Sequence, residues 1–300
     1  MGGRERLAAS PLRHWRMVFM ASPLAASRAP HPLETISASL GFTERGSERL
    51  YSYAFEPPAG VPATNVVTRA HTVPIANARP IAHRLSLDVE GFAVVPHRTA
   101  VRDFWDEAQT LALGHPETAE IVKAATGAAR VVVFNHTLRR RTGKPDRSPD
   151  APRQPVARAH ADQTVRSGPQ RVRDIMGDAA EALLSRRAAI VNVWRPVRHA
   201  ARDWPLALAD AGSIDLADLL PSELIFPHRR GETYALAHDP AQRWYYIPDL
   251  GVDETILIKC WDADEAVARF APHTGFENPI TPPGTPPRES IEFRTIAFFD

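Results

Sequence analysis

The sequence predicts a mainly β fold, an all-β sandwich or jelly roll with flanking helices. Three observations carry this. Proline is abundant, at 28 of 300 residues, and helix interiors reject it. Short β-branched and aromatic runs recur, punctuated by Pro, Gly and Asp turns. Strand and helix do not alternate as a doubly wound parallel sheet requires, and there is no internal repeat.

The elements follow in order. Leu50–Phe55 is a short aromatic strand, followed by the loop Glu56–Thr64. Ile81–Leu87 and Gly91–Val95 read as a pair of strands. Val101–Leu113 has helical spacing through Val101, Phe104, Trp105, Ala108 and Leu111. Pro116 sits where a first helical turn accepts proline, so Glu117–Thr126 continues as helix. Ala129–Phe134 is a β-branched run. Arg139–Gln154 is charged and contains proline, and reads as a loop placed to act as a lid. Val156–Asp162 is a strand and Pro169–Arg186 an amphipathic helix. Further strands are expected at Ala188–Trp194, Pro205–Ala209, Glu232–Ala237, Arg243–Ile247, Thr255–Trp261 and Ser290–Phe299.

Charge divides the chain. Lys+Arg is 36 and Asp+Glu is 35, a net of +1. Residues 1–32 carry +4 of this and the remainder carries −3. We read 1–32 as a disordered tail or a start upstream of the true one, at Met17 or Met20, because Ser22 and Pro23 interrupt its apolar stretch. Residues 33–300 read as a single domain. The balanced charge argues against nucleic acid as a partner. No run of 18 apolar residues suggests a membrane span. The expectation is a cytoplasmic chain acting on a small molecule, its oligomeric state unread. The lone Cys260 excludes an internal disulfide and any Cys-rich metal site. Any metal must then be held by His with Asp or Glu.

Several signatures are absent: GxGxxG after a strand, GxxxxGK[ST], GxSxG and HExxH. The informative stretch is Arg158-Ala-His160-Ala-Asp162. On a strand, residues two apart share a face, so His160 and Asp162 can converge on one ion. A second His from another strand would complete a 2-His-1-carboxylate triad, which leaves three positions of an octahedral metal open. Composition alone expects about 1.4 His-x-Asp/Glu triplets. The sequence holds two, and the other, His115-Pro-Glu117, reads as a helix cap. His273 lies 113 residues beyond His160, between two apolar strands. Arg288-Glu-Ser290 follows 15 residues later, after a loop containing five prolines. A guanidinium and a hydroxyl on one face suit a carboxylate. Arg294 shares that face and is the fallback anchor.

Taken together, Val133-Phe-Asn-His136, His160-Ala-Asp162, Val191-Asn192-Val-Trp194-Arg195-Pro196, Leu257-Ile-Lys259-Cys-Trp-Asp262, Pro272-His273-Thr-Gly-Phe276 and Pro287-Arg288-Glu-Ser290-Ile-Glu-Phe-Arg294 resemble the AsaB/CmcJ/NvfI hydroxylase–desaturase family over about Leu40–Phe299. The resemblance implies a double-stranded β-helix (jelly-roll, cupin-like) core over 129–300, with 33–128 packed on it. It implies an Fe(II)/2-oxoglutarate-dependent dioxygenase that hydroxylates or desaturates a small organic molecule in natural-product biosynthesis, with O2 as the second co-substrate. Carried over by residue, His160, Asp162 and His273 would ligate iron. Arg288 and Ser290 would hold the far carboxylate of 2-oxoglutarate. Further candidates to line the site or meet the substrate are His136, Asn192, Trp194, Tyr246 and Lys259. Two other classes stay open at this stage: a cupin-like metal enzyme that does not use 2-oxoglutarate, and a non-catalytic β-sandwich binding module.

Overall fold

The computed structural model describes residues 32–142 and 152–300. The expectations for 1–31, and the lid expectation where it covers 143–151, lie outside the described residues. Among the described residues there are fourteen strands: β1 (Thr35–Thr43), β2 (Leu50–Tyr53), β3 (Thr68–Asn77), β4 (Phe92–Pro96), β5 (Arg130–Arg140), β6 (His160–Ala161), β7 (Ala188–Pro196), β8 (Leu206–Ala209), β9 (Leu219–Ile225), β10 (Arg230–Leu236), β11 (Trp244–Tyr246), β12 (Glu254–Asp262), β13 (His273–Gly275) and β14 (Glu289–Phe298). The helices are α1 (Glu107–Gln109), α2 (His115–Thr126), α3 (Ser167–Met176) and α4 (Ala180–Leu184).

The strands form two sheets. One has nine strands in the order β1-β3-β11-β8-β13-β6-β10-β9-β2, the other five in the order β4-β12-β7-β14-β5. The elements before residue 128 extend the sheets at their edges: β1, β3 and β2 on the larger, β4 on the smaller. This is the mainly β, jelly-roll arrangement the sequence predicts.

The five-stranded sheet is covered on both faces, which explains its apolar runs. Every residue of Ala188–Pro196 is buried. Alternation sorts them. Ala188, Ile190 and Trp194, with Ile256, Ile258 and Cys260 of β12 and Ile296 and Phe298 of β14, join Leu40, Ile75, Leu208 and Leu236 of the larger sheet in one core. Val191, Val193, Leu257, Ile291 and Phe293 point the other way, onto Phe104 and onto Ile121 and Val122 of α2. Burying each such side chain stabilises by about 1.5–3 kcal/mol. Where α3 begins, Gly168 lies on the Trp261 ring, and a Cβ there would stand 2.4 Å from the indole.

Several local expectations are corrected. Arg79–Arg84 is a 3-10 turn rather than the start of a strand over Ile81–Leu87. Pro80 opens it, and the Asn77 side chain accepts the Arg79 N–H at 2.9 Å. The helix expected over Val101–Leu113 begins only at Glu107, where Asp106 caps it. It passes through a π turn at Thr110–Gly114 into α2, which ends at Gly127 with φ 72°. Glu117 accepts the Ala100 N–H at 2.7 Å, so it caps the preceding loop rather than its own helix. The long helix Pro169–Arg186 is broken at Gly177, whose φ is 54°. β5 runs on to Arg140, so Arg139 is strand, not loop. Sequence periodicity missed β1, β3, β9 and β13.

Candidate metal centre

β6 and β13 are neighbours in the larger sheet, and their register sets His160 directly across from His273. Asp162 stands just beyond the two-residue strand β6. His160, Asp162 and His273 each offer one atom to a cluster in which all three lie within 4.8 Å of one another. The two rings are 4.7 Å apart between centroids.

Backbone carbonyls hold both rings. His160 Nδ1 is 2.8 Å from the Arg158 carbonyl oxygen, and His273 Nδ1 is 3.1 Å from that of Ala271. A carbonyl only accepts, so Nδ1 carries the proton in each ring, which leaves Nε2 as the atom each ring can offer to the cluster. The His160 Nε2 stands 3.4 Å from Asp162 Oδ1. Burial keeps His273 below the ordinary imidazole range, and the neighbouring His160 adds to this. Burial pushes the Asp162 carboxyl upward, but the hydrogen bond from His160 and the charge of Arg294 outweigh it and hold the group well below the usual carboxylate range. Two imidazoles, each offering Nε2, and a carboxylate are a donor set for a divalent transition metal. The remaining acceptor of the carboxylate is served by the protein: Asn192 Nδ2 donates to Asp162 Oδ2 at 2.7 Å.

The cluster lines a cavity with Arg139, Val156, Trp194, Leu206, Thr274, Gly275, Arg288, Glu292 and Arg294. Arg288 is 2 % exposed. Its Nε donates to Ser290 Oγ at 3.1 Å, its Nη1 to the Trp204 carbonyl at 2.8 Å, and it lies 5.0 Å from the Trp194 ring centre. No carboxylate among the described residues is within ion-pair distance of its guanidinium. Burial, assisted by the charge of Arg139 and opposed by the more distant Glu292 and Asp203, lowers it to about 9. A buried cation without an acid in contact is costly; among the described residues this one has a nitrogen, Nη2, to spare.

Arg294 is otherwise engaged. It pairs with Glu292 and donates to Asn135 Oδ1 and Thr137 Oγ1, while its Nε is 3.5 Å from Asp162 Oδ2. The fallback anchor is thus part of the Asp162 surroundings.

The structure therefore brings together His160, Asp162, His273, Arg288, Ser290, Asn192, Trp194 and Arg294. Three candidates lie elsewhere. Lys259 sits on the outer face of β12, where its ammonium pairs with Asp88 and Asp262. Parity decides this, since Ile258 and Cys260 take the inner face. His136 is on the outer face of β5, hydrogen-bonded to His115 at 3.0 Å and to Glu107 at 3.1 Å. Tyr246 is buried in the core with its ring against Phe276. Sequence reasoning missed Arg139 and Glu292. The signal for Glu292 was available: it has the parity of Arg288, Ser290 and Arg294 on one strand.

A jelly roll carrying two histidines and a carboxylate at one mouth, with a buried arginine beside them that touches no acid among the described residues, defines the class of mononuclear non-haem iron oxygenases. Comparison with known proteins narrows this. The family model described as "Oxidoreductase/YMDC permease-like domain" matches residues 40–298. Hydroxylase/desaturase CTB9 of Cercospora beticola is 33% identical over 254 residues, 76% of this chain and 76% of that protein. The Fe(II)/2-oxoglutarate-dependent dioxygenase nvfI of Aspergillus novofumigatus is 29% identical over 258 residues, 84% of this chain and 91% of that one. The solved structure of the iron and alpha-ketoglutarate-dependent endoperoxidase NvfI superposes with a TM-score of 0.81 at 27% identity, covering 88% of this chain and 98% of that chain. The chain belongs to this family of Fe(II)/2-oxoglutarate-dependent hydroxylases and desaturases. Among the described residues, no helix is long and apolar enough to cross a membrane.

Proposed function

We propose that the protein oxidises a small organic molecule, by hydroxylation or desaturation, in natural-product biosynthesis, with Fe(II) at His160, Asp162 and His273 and 2-oxoglutarate anchored by Arg288. The observation that carries this is the pairing of a His–Asp–His donor set with a buried guanidinium that lacks an acid partner. The first suits a divalent iron and the second a carboxylate. When bound there, the iron would supply oxygen activation coupled to oxidative decarboxylation of 2-oxoglutarate to succinate.

The chain's own residues do the rest. The two Nε2 atoms and Asp162 Oδ1 face one point, their orientation fixed by backbone carbonyls and by Asn192. Such support is what sets a ligand's geometry and basicity. Ser290 and the Trp204 carbonyl fix the Arg288 fork, so little is lost in ordering it when a carboxylate arrives. Trp194, Leu206 and Val156 wall the cavity and limit water, which strengthens the charge pairing within. We take 33–300 as one oxygenase domain and the cytoplasm as its location; a buried, unpaired Cys260 suits a reducing compartment.

Anaerobic addition of Fe(II) and then 2-oxoglutarate tests this, read by the visible metal-to-ligand absorption band. Wild-type protein should develop the band, and His160→Ala or Asp162→Ala should not. The same variants should lose substrate-dependent succinate formation. A binding module would give no band. A cupin-like enzyme without 2-oxoglutarate would bind metal and remain colourless. Normal turnover in either variant would remove the iron assignment.

A further inference from the structure

We propose that Asn192 and Arg294 are positioning residues that hold the Asp162 carboxylate to a single open oxygen, and so keep a metal position free for 2-oxoglutarate. This rests on the iron reading above.

The two donors rise from one rung of the five-stranded sheet. Arg294 of β14 lies opposite Asn192 of β7 in register. Asp162 belongs to the facing sheet, just past β6. Asn192 Nδ2 reaches Asp162 Oδ2 at 2.7 Å, and Arg294 Nε stands 3.5 Å from the same oxygen. Asp162 Oδ1 is left toward His160 Nε2, at 3.4 Å. The guanidinium is itself fixed by Glu292, Asn135 and Thr137.

Asn192 has no other use in the fold. It is fully buried, and its Oδ1 has no partner among the described residues. An unmet buried acceptor is destabilising, so a leucine of similar size would serve packing better. What the amide adds is its donor, and that donor goes to Asp162.

A carboxylate gives a cation one oxygen or two. Two imidazoles and one oxygen leave three of six positions open, enough for a bidentate keto acid and dioxygen. Were both Asp162 oxygens to bind, one of those positions would close. With Oδ2 held by the Asn192 amide and by the Arg294 cation beside it, Asp162 has one oxygen to give. Removing the donors lets the carboxylate turn and take the second position. Metal would then be held as well as before, while 2-oxoglutarate would be shut out.

Asn192→Leu and Arg294→Lys in the full chain test this under anaerobic conditions. Two affinities are measured: that for Co(II), by its own absorption, and that for 2-oxoglutarate in the Fe(II)-loaded protein, by the charge-transfer band. Co(II) affinity should hold or tighten, and the Kd for 2-oxoglutarate should rise by about tenfold or more, about 1.4 kcal/mol per tenfold. Arg294→Lys keeps a charge but not the fixed guanidinium beside Oδ2, and alone carries the test if Asn192→Leu fails to fold. A parallel loss of both affinities would mean ordinary structural support and overturn the proposal. No change in either affinity would overturn it equally. Failure of the wild-type protein to bind metal or develop the band would instead overturn the iron reading, and this proposal with it.

Discussion

Replacing Arg288 with methionine should weaken co-substrate binding while leaving the ligand-free protein as stable as before. In the ligand-free state Arg288 makes two hydrogen bonds to neutral acceptors, Ser290 Oγ and the Trp204 carbonyl. Losing them costs about 1 kcal/mol each. Against this, methionine removes a buried cation with no acid partner, one that burial and Arg139 already hold at about 9. The penalty for such a charge is several kcal/mol in a folded protein. The two effects roughly offset, so the melting temperature without ligand should stay within about 3 °C of wild type or rise. With 2-oxoglutarate the sign reverses. One or two charge-assisted hydrogen bonds at about 1.5–3 kcal/mol each are lost. About 3 kcal/mol corresponds to a roughly hundredfold higher Kd.

The assay is a thermal melt with and without saturating 2-oxoglutarate on the metal-loaded, anaerobic protein, alongside titration of the absorption band. Wild-type protein should melt higher with the ligand, because binding to the folded state alone stabilises it. Arg288→Met should show no such rise. Two results would refute the reasoning. One is a 2-oxoglutarate Kd within about threefold of wild type, meaning less than about 0.7 kcal/mol was at stake. The other is a ligand-free variant destabilised by more than about 2 kcal/mol, which would mean the cation was already compensated.

Three further outcomes are expected of the molecule. In Gly275→Ala the new Cβ would stand 3.2 Å from Arg288 Nη1 and 3.3 Å from the Val156 carbonyl. It should raise the Kd for 2-oxoglutarate several-fold, by about 1 kcal/mol, with metal affinity unchanged; equal loss of both would count against the Arg288 assignment. Gly168→Ala should destabilise the fold by about 1–3 kcal/mol in urea unfolding, because its Cβ meets the Trp261 ring at 2.4 Å, and a wild-type midpoint would show that α3 shifts freely. Stability should fall as the pH drops from 7 to 5. His97, His115 and His238 are each held below the ordinary 6.5, first by burial and then by Arg195, His136 and His71 respectively. The unfolded chain therefore takes up protons that the folded one resists, so stability is full above about 6.5 and is lost below it. His238→Phe keeps a ring stacked on His71 and should flatten the profile; an unaltered slope would exclude His238 as a contributor.

Much of the site was legible because strand alternation is a local property. His160 and Asp162 share a face by spacing. Arg288, Ser290, Glu292 and Arg294 share another, and the structure lines one cavity with residues from both sets. The strands at Ala188–Pro196 and Glu254–Asp262 were legible as strands, while their burial on both faces came only from the structure. Other features were hidden for physical reasons. β1 was not among them, since Ile36, Ala38, Leu40 and Phe42 carry the period of two, whereas in β3 that period is apolar only at Val73 and Ile75. β13 is only three residues long, and β6 only two.

The sequence by itself determined the β class, the metal-ligand chemistry left by a single cysteine, and the pairs of residues that must share a face. These follow from composition and from a period of two. Tertiary structure alone decided which faces meet. The register of β6 with β13 placed His160 across from His273, 113 residues away in the chain. The packing of the two sheets turned Asn192 and Arg294 onto Asp162 and left Lys259, with the opposite parity from Cys260, in a separate ion-pair network. Long-range register depends on how two hydrophobic faces fit together, and no local window of sequence contains that information.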